Sequence, residues 1–70
     1  MNEKELLQAI ATNIRMQRVK MNISQETLSG FIDISQTQLS ALENGAALPK
    51  ITTLVKLAEV FGTTVDDLLH

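Results

Sequence analysis

The stretch SQETLSGFIDISQTQLSALENG, residues 24–45, carries the clearest structural signals in the chain. Ser24 and Ser35 each precede a run of residues with helical periodicity. Serine is a preferred N-cap residue because its side-chain oxygen accepts a hydrogen bond from a backbone N–H group of the first helical turn. The stretch therefore predicts two short helices, residues 25–32 and 36–43, separated only by a tight turn at Asp33.

The starts of these two helices are further specified by their neighbours. Gln38 lies three residues after Ser35, the spacing of a capping box, in which each side chain bonds the other residue's backbone N–H group. Gln38 is therefore as compatible with a structural role as with a binding role. In the preceding helix, Leu28, Phe31 and Ile32 are spaced to point inward.

Three further helices are predicted outside this stretch, at about residues 2–21, 50–61 and 65–69, and no strand is predicted. Asn22 suits the end of the first helix because asparagine tolerates a left-handed backbone. Pro49 suits the first turn of the fourth helix, and Thr64 suits the N-cap of the last. The fourth helix has a broad apolar face: Ile51, Leu54, Val55, Leu57, Ala58 and Phe61. Residues 1–70 are thus expected to form a single all-α domain of five helices.

The composition limits the classes of protein to which the chain can belong. Its 70 residues contain no cysteine, so disulfides and thiolate metal sites are excluded. No apolar run approaches the ~20 residues that a membrane span requires, and the acidic start differs from a secretion signal. With a single terminal histidine and no glycine-rich phosphate loop, we expect no catalysis and no cofactor, metal or small-molecule ligand. A cytoplasmic location is the default expectation.

The third helix has one apolar side and one polar side. Leu39 and Leu42 define the buried direction, and at ~100° per residue Glu43 lies near its boundary. The opposite side is polar or small, and uncharged: Gln36, Thr37, Ser40, Ala41 and Asn44. Amides and hydroxyls can read the hydrogen-bonding groups of the DNA major groove, and small apolar groups can contact thymine methyl groups. The pattern therefore indicates a base-reading helix that follows a supporting helix and a tight turn.

Individual roles follow from the same chemistry. Gln36 can bond N6 and N7 of one adenine, and Ala41 can touch a thymine methyl group. Thr37 and Ser40 can reach a base or a phosphate, although a solvated helix surface is the simpler interpretation of these two residues.

The chain resembles the Cro and phage-repressor type of helix-turn-helix domain, the XRE family. The resemblance covers about residues 10–69 and rests on IRMQRVKMNISQETLS, ISQTQLSALENG, LPKITTLVKLAEVFG and TVDDLL, in the order and spacing of that family. It implies a five-helix, lambda-repressor-like fold in which the second and third helices form the helix-turn-helix. It also implies a transcriptional regulator that binds double-stranded DNA.

The resemblance also implies roles for single positions. Gln25 matches a glutamine that contacts a phosphate and supports the recognition glutamine, which is matched by Gln36. Asn44 matches a residue that often contacts the DNA backbone. Arg18 and Glu43 match a partly buried salt bridge that joins the first and third helices. Four positions match those that vary between members to set the operator sequence: Thr37, Gln38, Ser40 and Ala41.

The chain departs from the family pattern in its charge. The loop after Gly45 is often basic in similar proteins, and here it reads Ala46-Ala47-Leu48. Lys50 is the one cation in residues 24–50, and the net charge of the chain is -2. Phosphate neutralisation by lysine and arginine supplies most non-specific affinity. We therefore expect the N-termini of the second and third helices to hold phosphates, with Arg15, Lys20 and Lys50 adding charge near the edges. Two copies are expected to be needed for useful affinity.

Two functions from different classes remain open at this point. The first is a DNA-binding transcriptional repressor that acts as a homodimer on a partly palindromic operator. The second is a protein-interaction module that keeps the helix-turn-helix fold with weak or no specific DNA binding. The acidic balance and the uncharged loop favour the second, whereas Gln25, Gln36 and Asn44 favour the first.

Overall fold

Five α-helices make up the protein, whose computed structural model describes all 70 residues, Met1–His70. The helices are α1 (Glu3–Lys20), α2 (Gln25–Ile32), α3 (Gln36–Glu43), α4 (Ile51–Phe61) and α5 (Val65–Leu69). Their ends differ from the predicted bounds by at most one residue. The prediction of an all-α, five-helix fold is confirmed. None of the five helices combines the length and the apolar character that crossing a membrane requires.

Side-chain caps explain where four of the helices begin. Ser24, Ser35 and Thr64 each accept a hydrogen bond from the backbone N–H three residues further on, at 3.1, 3.0 and 3.0 Å. Gln38 Oε1 accepts from the backbone N–H of Ser35 at 2.8 Å and so completes a capping box. Asn2 caps α1 in the same way, which the sequence pattern did not single out.

Left-handed residues end the first two helices. Asn22 has a φ of 57° and Asp33 has a φ of 58°. At Asp33, this conformation turns the chain so that the Ile34 N–H bonds the Ser29 carbonyl at 3.1 Å. One prediction about a helix start is wrong: Pro49 lies before α4 and not in its first turn, because Lys50 is the N-cap residue.

The core is one apolar cluster to which every helix contributes. Its members are Ile10, Ile14, Leu28, Ile32, Leu39, Leu42, Leu54, Leu57, Ala58 and Leu68. Because no helix buries its apolar side alone, the five helices depend on one another for stability. All five helices therefore share one core, and α2 and α3 are held in place from the side opposite their polar residues.

Three apolar residues that were expected to point inward lie at the surface. Phe31 is 58% exposed, Ile51 67% and Val55 42%. In α2, Leu28 and Ile32 lie one turn apart on the same side of the helix and are packed in the core. Phe31 is rotated by ~100° about the helix axis from Ile32, so its side chain lies at the surface. The two residues of α4 lie at the edge of its buried stripe for the same reason. The apolar faces of these helices are thus narrower than their sequences suggest.

A polar contact anchors α5 to α1. Asn13 Nδ2 donates to the backbone carbonyl of Leu68 at 2.9 Å and to that of Asp67 at 3.3 Å. At the other end of the short helix, hydrogen bonds from Thr63 and then Thr64 lower the pKa of Asp67 below its ordinary value. Both ends of α5 are therefore fixed by side chains as well as by the burial of Leu68.

Candidate nucleic-acid interface

The outward side of α3 is polar, as expected. Gln36, Thr37, Gln38 and Asn44 are exposed, and Ser40 and Ala41 are half-buried. Leu39 and Leu42 face the opposite way and are buried in the core. The polar residues are therefore held on a fixed scaffold, with their side chains directed away from the protein.

Four of the predicted residues line one shallow, open groove of about 330 Å³: Gln25, Gln36, Thr37 and Ser40. All four are polar and uncharged. Gln25 is the first residue of α2, and Gln36 is the first residue of α3. The groove therefore joins the N-terminal ends of both helices of the motif, where backbone N–H groups are not used within the helix.

Three more of the predicted residues lie along a second cleft of about 360 Å³. Its lining includes Gln38 and Ala41 of α3, the N-cap residue Lys50 of α4, and Lys56 from the middle of α4. The oxygen of the Gln38 amide is already bonded within the capping box, so only its nitrogen is free to donate. Lys56 was not predicted, because its place beside Lys50 depends on how α4 packs.

Asn44 is the C-cap residue of α3, and its side chain folds back along the helix. Its Nδ2 donates to Ser40 Oγ at 3.4 Å, a long and weak hydrogen bond. The residue is exposed and lies one turn beyond Ser40. It is therefore free to exchange this contact for one with a ligand.

Arg18 and Glu43 form a two-point ion pair between α1 and α3. Arg18 Nε lies 2.7 Å from Glu43 Oε2, and Nη2 lies 3.0 Å from Oε1. The hydrogen bond to Glu43 raises the pKa of Arg18 above its ordinary value. Glu43 is buried, at 2% exposure, and not at the boundary as expected. Its aliphatic stem lies beside the core, and Arg18 reaches in to neutralise its charge.

A hydrogen bond connects this ion pair to the polar groove. Gln25 Nε2 donates to Glu43 Oε1 at 3.3 Å, and Arg15 Nη1 donates to the Glu43 backbone carbonyl at 3.2 Å. Neither contact was predicted. The partners are 18 and 28 residues apart in sequence, and no local pattern brings such residues together. Gln25 thus has a partner inside the protein in addition to its place in the groove.

Helix ends contribute to the electrostatics of the interface, in addition to the charged residues Asp33, Lys50 and Lys56 of the cleft. Neither α3 nor α4 has an acidic residue in its first turn, and α4 has no side-chain cap. The positive ends of these two helix dipoles are therefore not neutralised, which favours an anion beside them. Glu26 lies in the first turn of α2 and opposes the same effect there. No three acidic or histidine side chains are grouped so that they could hold a metal ion.

Comparison with known proteins agrees with this geometry. Residues 14–68 match the helix-turn-helix family, and since they make up most of the chain, the chain belongs to that family. The Cro and phage-repressor resemblance is thereby confirmed, and the protein is a DNA-binding transcription regulator.

Among solved structures, the chain is similar to the crystal structure of the hypothetical transcription factor NHTF from Neisseria, with a TM-score of 0.86 and 28% identity. The match covers 100% of this chain and 80% of that one. No curated protein matches the chain by sequence.

Proposed function

We propose that the protein binds double-stranded DNA sequence-specifically, as a homodimer on a partly palindromic operator, and represses transcription by covering a promoter. The observation that carries the proposal is the polar groove, in which four uncharged hydrogen-bonding side chains meet at the N-terminal ends of α2 and α3. Uncharged amides and hydroxyls discriminate between base edges, whereas cations mainly attract phosphates. The proposed place of action is the cytoplasm.

In this proposal, α3 enters the major groove and Gln36 bonds N6 and N7 of one adenine. Thr37 and Ser40, which line the polar groove together with Gln36, bond neighbouring groups of the DNA. Ala41 touches a thymine methyl group. Asn44 and the free nitrogen of Gln38 bond the DNA backbone or a base at the edge of the site.

Phosphates are held largely by backbone N–H groups at the helix starts, with Lys50 at the start of α4 and Lys56 farther along the same helix. Few cations are available for this purpose, so one protomer binds weakly. A second protomer doubles the contacts and places a second recognition helix about one DNA turn away. Dimerisation is therefore part of the proposed mechanism, and the operator repeats its half-site in inverted orientation.

A protein-interaction module is the second candidate function. It is favoured by Met16 and Val19 of α1, which are both 62% exposed, with Arg15 and Lys20 beside them on the same open surface. Exposed apolar residues next to cations suit a partner with apolar and acidic groups. This surface does not compete with the polar groove, so both functions can coexist in one chain.

The test is a selection of bound duplexes from random DNA at low salt, with the wild-type protein and with Gln36→Ala. Wild-type protein should enrich an inverted repeat, and Gln36→Ala should lose the preference for adenine at one position of each half-site. Gln8→Ala is the matched control, because Gln8 is an exposed glutamine of α1 outside the groove. A folded, dimeric wild-type protein that enriches no motif would contradict specific DNA binding.

A further inference from the structure

Glu43 lies inside the protein, yet one of its hydrogen bonds reaches the edge of the candidate interface. Its side chain is 3% exposed. Oε1 accepts from Arg18 Nη2 at 3.0 Å and from Gln25 Nε2 at 3.3 Å. Gln25 in turn lines the polar groove beside Gln36. A buried ion pair is therefore connected, through one amide, to the surface proposed to read bases.

The chemistry of Glu43 fixes the direction of the Gln25 amide. An ionised carboxylate only accepts hydrogen bonds, whereas an amide has a donating nitrogen and an accepting oxygen. Arg18 donates to both oxygens of the Glu43 carboxylate, so both oxygens act as acceptors. If the amide were reversed, Gln25 Oε1 would face Glu43 Oε1, and two acceptors would oppose each other. The nitrogen must therefore face Glu43, and the carbonyl oxygen is the end left free.

We propose that Glu43 is a positioning residue for base reading; this proposal rests on the DNA-binding function proposed above. By holding Gln25 at its nitrogen, Glu43 makes the Gln25 carbonyl oxygen an acceptor in the groove shared with Gln36. Gln36 donates one N–H to that oxygen when DNA is bound. Its second N–H then donates to N7 of adenine, and its own carbonyl oxygen accepts from the N6 amino group.

This chain of hydrogen bonds favours adenine over guanine at the base that Gln36 contacts. Guanine presents two acceptors, N7 and O6, in the major groove. A Gln36 amide held by Gln25 turns its carbonyl oxygen toward that O6, where no hydrogen bond can form. Without Glu43, the Gln25 amide is free to rotate, and Gln36 loses the partner that fixes its direction. Loss of Glu43 therefore weakens discrimination between bases in addition to weakening the fold.

The experiment compares the affinity of the chain for two duplexes, one with adenine and one with guanine at the position whose preference changes in Gln36→Ala. Glu43→Met, which removes both oxygen acceptors at similar side-chain length, is expected to lower the adenine-to-guanine affinity ratio by about tenfold, within the range of one bidentate base contact. A smaller folded fraction lowers both affinities equally and leaves the ratio unchanged. Leu68→Ala is the matched control, since it leaves a cavity at α5, outside the groove, and should keep the wild-type ratio.

If Glu43→Met does not fold, two other measurements test the same proposal. Gln25→Met removes the amide at a half-buried surface position and should lower the same ratio. In isotope-labelled wild-type protein, the NMR signals of the Gln25 side-chain amide should show slower hydrogen exchange than those of Gln36. These signals are assigned by their loss in Gln25→Met.

Several results would overturn the positioning role. They are an unchanged ratio in a folded Glu43→Met or in Gln25→Met, a Gln25 amide that exchanges as fast as that of Gln36, and a motif in which Gln36→Ala changes no position. If the wild-type chain selects no motif at all, the proposed function fails as a whole. An unchanged ratio in a chain that does select a motif refutes only the role of Glu43.

Discussion

The two sides of α3 differ in how much of their chemistry is already used within the protein. On the inner side, Leu39 and Leu42 are packed in the core, and the Glu43 carboxylate accepts three hydrogen bonds. On the outer side, Gln36 and Thr37 are exposed, and their side chains line an open groove. One helix is thus fixed by one side and available for binding on the other. Stability and recognition should therefore respond to different substitutions, except at Glu43, whose hydrogen bond to Gln25 connects the two sides.

The largest expected effect comes from removing the cation on the inner side. Arg18→Ala leaves the buried Glu43 carboxylate without its partner, and should lower the free energy of unfolding by about 3–5 kcal/mol. Urea denaturation followed by circular dichroism measures this change. Lys4→Ala, which removes an exposed cation from the same helix, should change it by less than about 0.5 kcal/mol. If the two variants are equally stable, the ion pair does not hold α1 and α3 together.

A smaller loss of stability is expected at the N-terminus of α3, where its inner and outer sides meet. Ser35→Ala removes the hydroxyl that caps α3 and should cost about 1 kcal/mol of stability, because one N–H group of the first turn loses its partner. Thermal denaturation measures the loss. Ser35→Thr keeps a capping hydroxyl and should recover most of the stability. A cost of zero for Ser35→Ala would mean that packing alone sets the start of α3.

Next in size is the contribution of the cation beside α4 to DNA binding. Lys50→Gln should reduce the slope of log affinity against log salt by about 0.9 per protomer. Between 50 and 200 mM salt, the loss of affinity should therefore be about threefold smaller for the variant than for the wild-type protein. Fluorescence anisotropy over a salt series measures the slope. Lys4→Gln should leave the slope unchanged. An unchanged slope in Lys50→Gln would place its ammonium group away from the phosphates.

The smallest effect on stability is expected on the outer side. Gln36→Ala should change the free energy of unfolding by less than about 0.5 kcal/mol, because the side chain is exposed and alanine favours helix. The same denaturation experiment applies. A loss of more than 1 kcal/mol would show that Gln36 is part of the structure of α3, and the contrast between its two sides would then be lost.

Local features of the sequence were enough to predict the five helices and three of the four side-chain caps. A serine followed by helical periodicity, or a left-handed Asn or Asp, is a signal confined to a few residues, so Ser24, Ser35, Asn22 and Asp33 could be interpreted from the sequence alone. The polar side of α3 could be deduced in the same way, since Leu39 and Leu42 already fix its direction.

Contacts between distant helices could not be predicted in this way. Glu43 looked like a boundary residue because its burial depends on Arg18 reaching across from α1. The exposure of Phe31 depends on which stripe of α2 faces α4. The sequence therefore indicated which residues of the candidate interface face outward. It did not indicate that most of them divide between the polar groove and the cleft, or that the buried Glu43 accepts a hydrogen bond from Gln25.

The most direct test of the central claim, that the outer side of α3 meets DNA, is to map NMR shift changes in the wild-type protein as a selected duplex is added. The largest changes should appear at the backbone amides of Gln25, Gln36, Thr37 and Ser40. Glu59 and Asp66, on exposed parts of α4 and α5, should change little. Changes centred on Met16 and Val19, with the polar groove unaffected, would contradict the claim.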